Sequence, residues 1–230
     1  MAEGLKIGLV LSGGGSRGAY QVGVLKAIWD LGLYPQFTIA AGTSTGAING
    51  AGFVQGQIDV VEEIWSNLNF EKIFSSIKSK RYLFLSLGYE ILRKGGADVE
   101  PLKELIRKHI NYKRIYANEI DFGLVTYNFS EMKPKYLFKK DIDKEDLIEY
   151  IIASSTFPIF QRHIIKDQAF LDGGLADNVP LKMAIEHESK PDLIICVNVA
   201  HYDSPSPIRF LQSSSLTNLV KKLRRFIPST

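Results

Sequence analysis

FTIAAGTSTGAIN, residues Phe37 to Asn49, reads as a short buried strand, a tight turn and the start of a helix. The turn is Gly42-Thr43-Ser44-Thr45-Gly46, a G-x-S-x-G pattern. A bend this sharp leaves no room for side chains on either side of the serine, which accounts for glycine at both flanking positions. It also lifts the serine hydroxyl out at the C-terminal end of the strand. The helix begins beside Ser44, so its positive dipole end lies where an oxyanion formed at the serine would develop. Gly, Ser and Thr also cluster in ordinary turns, so the pattern gains meaning only from its surroundings.

On the N-terminal side, Leu5 to Leu11 (LKIGLVL) is a buried-strand candidate. The loop Ser12-Gly13-Gly14-Gly15-Ser16-Arg17-Gly18 follows it, and then AYQVGVLKAIWDLGL, in which Val22, Leu25, Ile28 and Trp29 recur at helical spacing. Gly32 is placed to end that helix. Gly13, Gly15 and Gly18 satisfy G-x-G-x-x-G, the dinucleotide fingerprint. That fingerprint also requires an acid at the end of the second strand, and here FTIAA runs straight into the serine turn. A nucleotide-binding reading is therefore weak. The physical use of the loop survives: adjacent glycines at a helix start let backbone N–H groups converge on one anion.

On the C-terminal side, strand and helix patterns alternate. Asp59 to Phe70 predicts an amphipathic helix with Val60, Val61, Ile64, Trp65 and Leu68 inward. Tyr82 to Leu92 is strongly apolar and aromatic, either a core helix or the wall or lid of a hydrophobic groove. Pro101 starts a helix carrying Leu102, Leu105, Ile106 and Ile110. Asp121 to Phe129 and Lys135 to Phe138 predict paired strands, and 144–153 a helix. HIIKDQAFLD (163–172) predicts a hairpin that delivers Asp172 into Asp172-Gly173-Gly174. Leu181 to His187 predicts a helix with His187 solvated, and Asp192 to Ala200 a buried parallel strand with Cys196 as a core thiol. This alternation argues for an α/β domain with a largely parallel sheet covered on both faces.

Composition agrees. The 230 residues are 45% hydrophobic and 23% charged, enough for one sizeable core. A net charge of +3 gives no argument for nucleic acid. A single cysteine cannot form an internal disulfide, which fits a reducing setting. The N-terminus lacks the basic and long apolar regions of a signal peptide, and no run has membrane-spanning length. A cytoplasmic protein, with at most peripheral membrane contact, is expected. No set of Cys, His, Asp and Glu shows metal-ligand spacing, so neither metal nor cofactor is implied.

A serine nucleophile needs a base, oxyanion donors and a pocket. One arrangement is a Ser–Asp–His triad, for which only His187 and His201 follow Asp172. The other is a dyad in which Asp172 itself takes the serine proton. A carboxylate is a weak base near neutral pH, and partial desolvation would make it a stronger one.

Taken together, GGGSRG at Gly13 to Gly18, GTSTG at Gly42 to Gly46 and DGG at Asp172 to Gly174 resemble the patatin-like phospholipases. Asn178-Val179-Pro180 adds to the likeness, which covers most of the chain from Leu5 to Ala200. The resemblance implies a three-layer α/β/α sandwich with a mostly parallel central sheet. It implies a lipid acyl hydrolase with Ser44 as nucleophile, Asp172 as proton acceptor and no catalytic histidine. Gly13, Gly14 and Gly15 would form the oxyanion hole with Arg17 beside it, and Gly18, Gly42, Gly46, Gly173 and Gly174 would support the motifs. The substrate would be a lipid or lysolipid acyl ester. One departure is that Gln161-Arg162 follows Phe160 where family members often carry a second proline, which bears on the groove rather than the dyad. An acyltransferase on the same scaffold and a non-catalytic lipid-binding module are the competing readings.

The hydrolase domain is expected over 1–205. Within 206–230, residues 211–227 place Leu216, Leu219, Val220, Leu223, Phe226 and Ile227 on one helical face, with Lys221, Lys222, Arg224 and Arg225 on or near the other. Such a helix either docks on its own domain or lies on an anionic membrane surface. On the membrane reading, deleting Leu216 to Thr230 weakens sedimentation with anionic vesicles while sparing hydrolysis of soluble short-chain esters. Unchanged vesicle binding would sink that reading.

Overall fold

A computed structural model describes residues 4–67, 100–156 and 162–199. In chain order the elements are β1 (Ile7–Leu11), α1 (Gly18–Asp30), β2 (Phe37–Thr43), α2 (Thr45–Val54), α3 (Ile58–Asn67), α4 (Glu100–His109), α5 (Tyr112–Ala117), β3 (Asp121–Asn128), β4 (Lys133–Phe138), α6 (Leu147–Ser154), β5 (His163–Ile165), β6 (Gln168–Asp172), α7 (Leu181–Ile185) and β7 (Leu193–Val197). The strands form one mixed sheet in the order β5-β6-β3-β2-β1-β7, with β4 paired to β3. The run β3-β2-β1-β7 is parallel, and β4, β5 and β6 join antiparallel.

Both faces of the central strands are covered, which is why β1 is apolar at every position rather than alternating. Ile7, Leu9 and Leu11 pack with Leu25 of α1 and with Ala47 and Ile48 of α2. Val10 points the other way, to Ile39 and Ala184 of α7. The result is an α/β/α sandwich. Among the described residues no helix is long and apolar enough to cross a membrane.

Several expectations need correction. Trp29 is on the surface, its ring 4.6 Å from that of Tyr34, because the inward stripe of α1 is Gly18, Gln21, Val22, Leu25 and Ile28. The last described strand is parallel as expected but ends the strand order among the described residues, and Leu193 and Cys196 are exposed, so Cys196 is no core thiol. His187 is buried rather than solvated. Tyr82 to Leu92 and 206–230 lie outside the described residues.

The far end of α2 is anchored by Phe53. Its ring is fully buried and edge-on to Tyr34 and Phe37, at 5.0 and 5.1 Å. Phe53→Ala should lower the unfolding free energy by about 3–5 kcal/mol. Urea titration followed by circular dichroism measures this, and a loss under about 1 kcal/mol would mean α2 is held elsewhere.

Candidate active site

Two strands meet end to end along one edge of β3. Thr43, the last residue of β2, pairs with Val125, and Asp172, the last residue of β6, pairs with the next residue, Thr126. Because β2 and β6 run toward each other, Ser44 and Asp172 emerge at the same point of the sheet. The Thr126 hydroxyl donates to the Leu171 carbonyl at 2.8 Å, holding β6 in that register.

Ser44 occupies the turn expected of it, at φ 57° and ψ −125°. A non-glycine residue held there costs about 1–3 kcal/mol and persists only where its surroundings enforce it. They do so by close approach. A methyl on Gly42 would run into the Gly46 carbonyl, and one on Gly46 into the Leu11 carbonyl. The Ser44 N–H donates to the buried Ser154 hydroxyl at 2.9 Å.

Asp172 is buried. Its backbone N–H donates to the Thr156 carbonyl at 2.7 Å, and its carboxylate accepts from the Gly174 N–H at 2.7 Å. Burial pushes its pKa up to about 6, and hydrogen bonding from the Ser44 hydroxyl and the Gly174 amide partly opposes that rise. An aspartate tuned this way is mostly ionised at pH 7 and basic enough to accept a proton. The following Gly173 has no space for a side chain, because a methyl would strike the Val125 carbonyl.

The glycine loop lies against Ser44: a methyl on Gly13 would lie 3.1 Å from Ser44 Cβ. Asn178 holds this loop in place. The Gly13 N–H donates to the Asn178 carbonyl at 3.0 Å, and Asn178 Nδ2 donates to the Gly13 carbonyl at 3.2 Å. The Gly13 amide is thus committed to Asn178 here, and an anion would have to draw it away. Gly14 and Gly15 lead into a short 3-10 turn, Gly15–Arg17, that runs directly into α1. Among the described residues, Arg17 Nε and Thr45 Oγ1 are buried without a hydrogen-bond partner. Arg17 belongs to the glycine loop and Thr45 to the serine turn itself, and a buried polar atom without a partner calls for an explanation.

The histidines do other work. His187 Nε2 lies 3.1 Å from Asp121 and Nδ1 2.7 Å from the Ser189 hydroxyl. Asp121 begins β3, so His187 sits at the opposite end of the sheet from Ser44. His163 Nε2 is 2.8 Å from Glu149, which Arg107 also grips, and burial lowers the His163 pKa. His109 lies 3.6 Å from Glu63. His201 lies outside the described residues, as do residues 157–161.

Other polar residues at the site carried no obvious signal. Gln21 Nε2 donates to the carbonyls of Ser12 (2.8 Å) and Val197 (3.2 Å), and its oxygen accepts from Asn49 Nδ2 at 2.9 Å. Asn49 in turn accepts from Trp65 Nε1 at 2.7 Å. This network ties the glycine loop to α1, α2 and α3. Its trace in the sequence is a polar residue on the inward face of each of two otherwise apolar helices. Asn178 stands in the Asn-Val-Pro stretch that the sequence singled out, but its contact with Gly13, like that of Ser154 with Ser44, is visible only in the fold.

A family model described as patatin-like phospholipase matches residues 9–185. The chain is 28% identical to an uncharacterized protein, YjjU, of Escherichia coli K12, over 94% of this chain and 60% of that one. It is 26% identical to a cUMP-AMP-activated phospholipase of Escherichia coli, over 86% of this chain and 66% of that one. It is 28% identical to the lysophospholipase nte1 of Aspergillus terreus, over 98% of this chain but 14% of that one. The chain therefore spans less than two thirds of the length of these relatives. Among solved structures, VipD from Legionella pneumophila shares the fold, with a TM-score of 0.51 at 16% identity over 76% of this chain and 47% of that one.

The buried acid has a cost that pH can expose. Its folded pKa of about 6 exceeds the ordinary 3.8, so its contribution to stability is complete below pH 3.8 and lost as pH rises through 6. About two pKa units correspond to roughly 3 kcal/mol. Asp172→Asn should therefore be more stable than wild type at pH 7–8, by up to about that amount, with the gap closing below pH 4. Thermal melts across pH measure it, and a variant less stable at pH 8 would contradict the burial argument.

Proposed function

The chain belongs to the patatin-like phospholipase family, and from that premise we propose that it hydrolyses carboxylic esters of lipids or lysolipids through a Ser44–Asp172 dyad. The observation that carries the reading is the meeting of β2 and β6 on β3, with a strained serine on one strand end and an aspartate raised to about pKa 6 on the other. The relatives named as phospholipases support the substrate class.

Ser44 Oγ attacks the ester carbonyl while its proton passes to the Asp172 carboxylate. The carbonyl oxygen, now an oxyanion, is held by glycine-loop amides, Gly14 and Gly15 and, once drawn from Asn178, Gly13. Arg17 stands beside them with an unspent donor. Collapse expels the alcohol, which leaves with the proton from Asp172. Water then attacks the acyl-Ser44 ester and gives a proton to Asp172; collapse of the intermediate releases the fatty acid as Asp172 returns that proton to Ser44 Oγ, regenerating the free serine. Each oxyanion donor is worth about 2.7–4 kcal/mol of transition-state stabilisation. A histidine is unnecessary because burial gives the carboxylate the basicity that imidazole would otherwise bring.

The domain over 1–205 carries this chemistry in the proposal, and residues 211–227 either dock on that domain or supply peripheral contact with anionic membrane. Hydrolysis of p-nitrophenyl esters of increasing chain length tests the dyad. Ser44→Ala and Asp172→Asn should each lose at least about a thousandfold in kcat/KM, while His187→Ala and His201→Ala stay within a few fold. The wild-type kcat/KM should fall below about pH 6 as the Asp172 carboxylate takes up one proton. An inactive His201→Ala would replace the dyad with a triad, and a wild type that turns over no ester would refute the hydrolase.

A further inference from the structure

The end of α6, with the two residues after it, touches both halves of the candidate dyad. Ser154 is fully buried. Its hydroxyl donates to the Val125 carbonyl at 2.7 Å and accepts from the Ser44 N–H at 2.9 Å. A hydroxyl has one proton, and spending it on Val125 turns a lone pair toward Ser44. Two residues on, the Thr156 carbonyl accepts from the Asp172 N–H at 2.7 Å. The turn between these contacts is itself fixed. The Ser155 and Thr156 hydroxyls donate back to the Ile151 and Ile152 carbonyls at 3.1 and 2.9 Å, and their N–H groups to Ile152 and Ala153 at 3.0 and 3.1 Å.

We propose that Ser154 is a positioning residue which, with the Thr156 carbonyl, clamps Ser44 and Asp172 at working separation through their backbone amides. The inference rests on the dyad reading. Strand pairing alone brings two strand ends together. It does not fix the torsion of Ser44, whose backbone has left β2 and adopted a positive φ. The Ser154 hydroxyl bonds the amide at the start of that turn, so it sets the direction in which Ser44 Oγ projects. It also refers that direction to Val125, the β3 residue beside the one that pairs with Asp172. The clamp thus measures serine against aspartate from a common backbone point.

The readout that separates positioning from mere stability is the titration of Asp172. Burial raises its pKa, and the Ser44 hydroxyl and Gly174 amide hold it down, with no charged group among the described residues contributing. The titratable groups on the surrounding elements are engaged elsewhere or merely buried. His163 of β5 faces Glu149 of α6, Asp177 bonds the Val179 amide, and burial alone raises Tyr127 of β3. On α6, Tyr150 packs edge-on against Phe170. Arg17, on the glycine loop, keeps its Nε unpaired among the described residues. If Ser154 aims Ser44, loosening it weakens the serine's bond to Asp172 and the aspartate titrates higher.

The experiment is carbon-13 NMR titration of the Asp172 carboxyl in the full chain as wild type, Ser154→Ala and Ser154→Cys, with ester kinetics alongside. Cysteine keeps the shape and a weak donor, so it guards against a misfolded alanine variant. Expected is an upward shift of the Asp172 midpoint, larger for Ala than for Cys. With it, kcat should fall roughly 10- to 100-fold while KM changes little. An unshifted midpoint in a folded variant overturns the proposal, as does a kcat loss with no shift. The titration decides the clamp even if no ester is turned over, and absent wild-type turnover would count against the hydrolase reading alone.

Discussion

Val125 and Thr126, adjacent residues in the middle of β3, carry the pairing on which the site depends. A parallel strand, β2, arrives at Val125 from one direction, and an antiparallel strand, β6, arrives at Thr126 from the other. β4 occupies the opposite edge of β3, so β2 and β6 have to share one edge and end where they meet. Each strand end must then leave the sheet sharply. Ser44 does so through a left-handed turn into α2, and Asp172 through two glycines. The Val125 carbonyl lies under both exits, bonded by Ser154 and too near Gly173 to admit a side chain. A pair of side chains placed this way inherits the precision of strand register, which is set by many hydrogen bonds rather than by loop conformation.

That precision has energetic consequences. A positive φ at a non-glycine residue and a buried, unpaired carboxylate both work against folding. They are tolerated because the surrounding β1, β2 and β3 are covered on both faces and form the most thoroughly buried part of the sheet. The buried amides and carbonyls nearby are nearly all matched, through Gln21, Asn49, Ser154 and Asn178. Against this background the unmatched Arg17 Nε and Thr45 Oγ1 stand out. One belongs to the glycine loop and the other to the serine turn.

Much of this was legible in the sequence for a stateable reason. Covered strands have to be apolar throughout, so IGLVL and FTIAAGT announced parallel strands. Close backbone approach excludes side chains, so the three glycine clusters marked the three places where loops converge. What stayed hidden depended on contacts between residues far apart in the chain. Ser154 meets Ser44 across 110 positions, and Asn178 meets Gly13 across 165. Edge position is equally invisible: β7 has the composition of a buried strand, yet nothing in LIICV says that it ends the strand order among the described residues. Trp29 and His187 were misplaced for a related reason, because an aromatic ring and an imidazole are amphipathic and can be satisfied on either side of the surface.

The histidines bear on how such a site could do without one. His187 joins the start of β3 to the loop after α7, and His163 joins β5 to α6 through Glu149. In both, the imidazole is already paired with a carboxylate that belongs to the scaffold. Among the described residues the aspartate that does face the serine has no such partner, and that difference in environment separates the roles. A carboxylate in an ion pair is driven toward a low pKa and becomes a poor base. One buried beside a neutral hydroxyl and an amide is driven up toward the working pH. Asp172 is shifted up while Glu149, gripped by Arg107, is shifted down, although both are acids on elements that flank β3. Withholding a cation from one carboxylate and giving it to the other is enough to make the first a candidate base and the second a structural anchor.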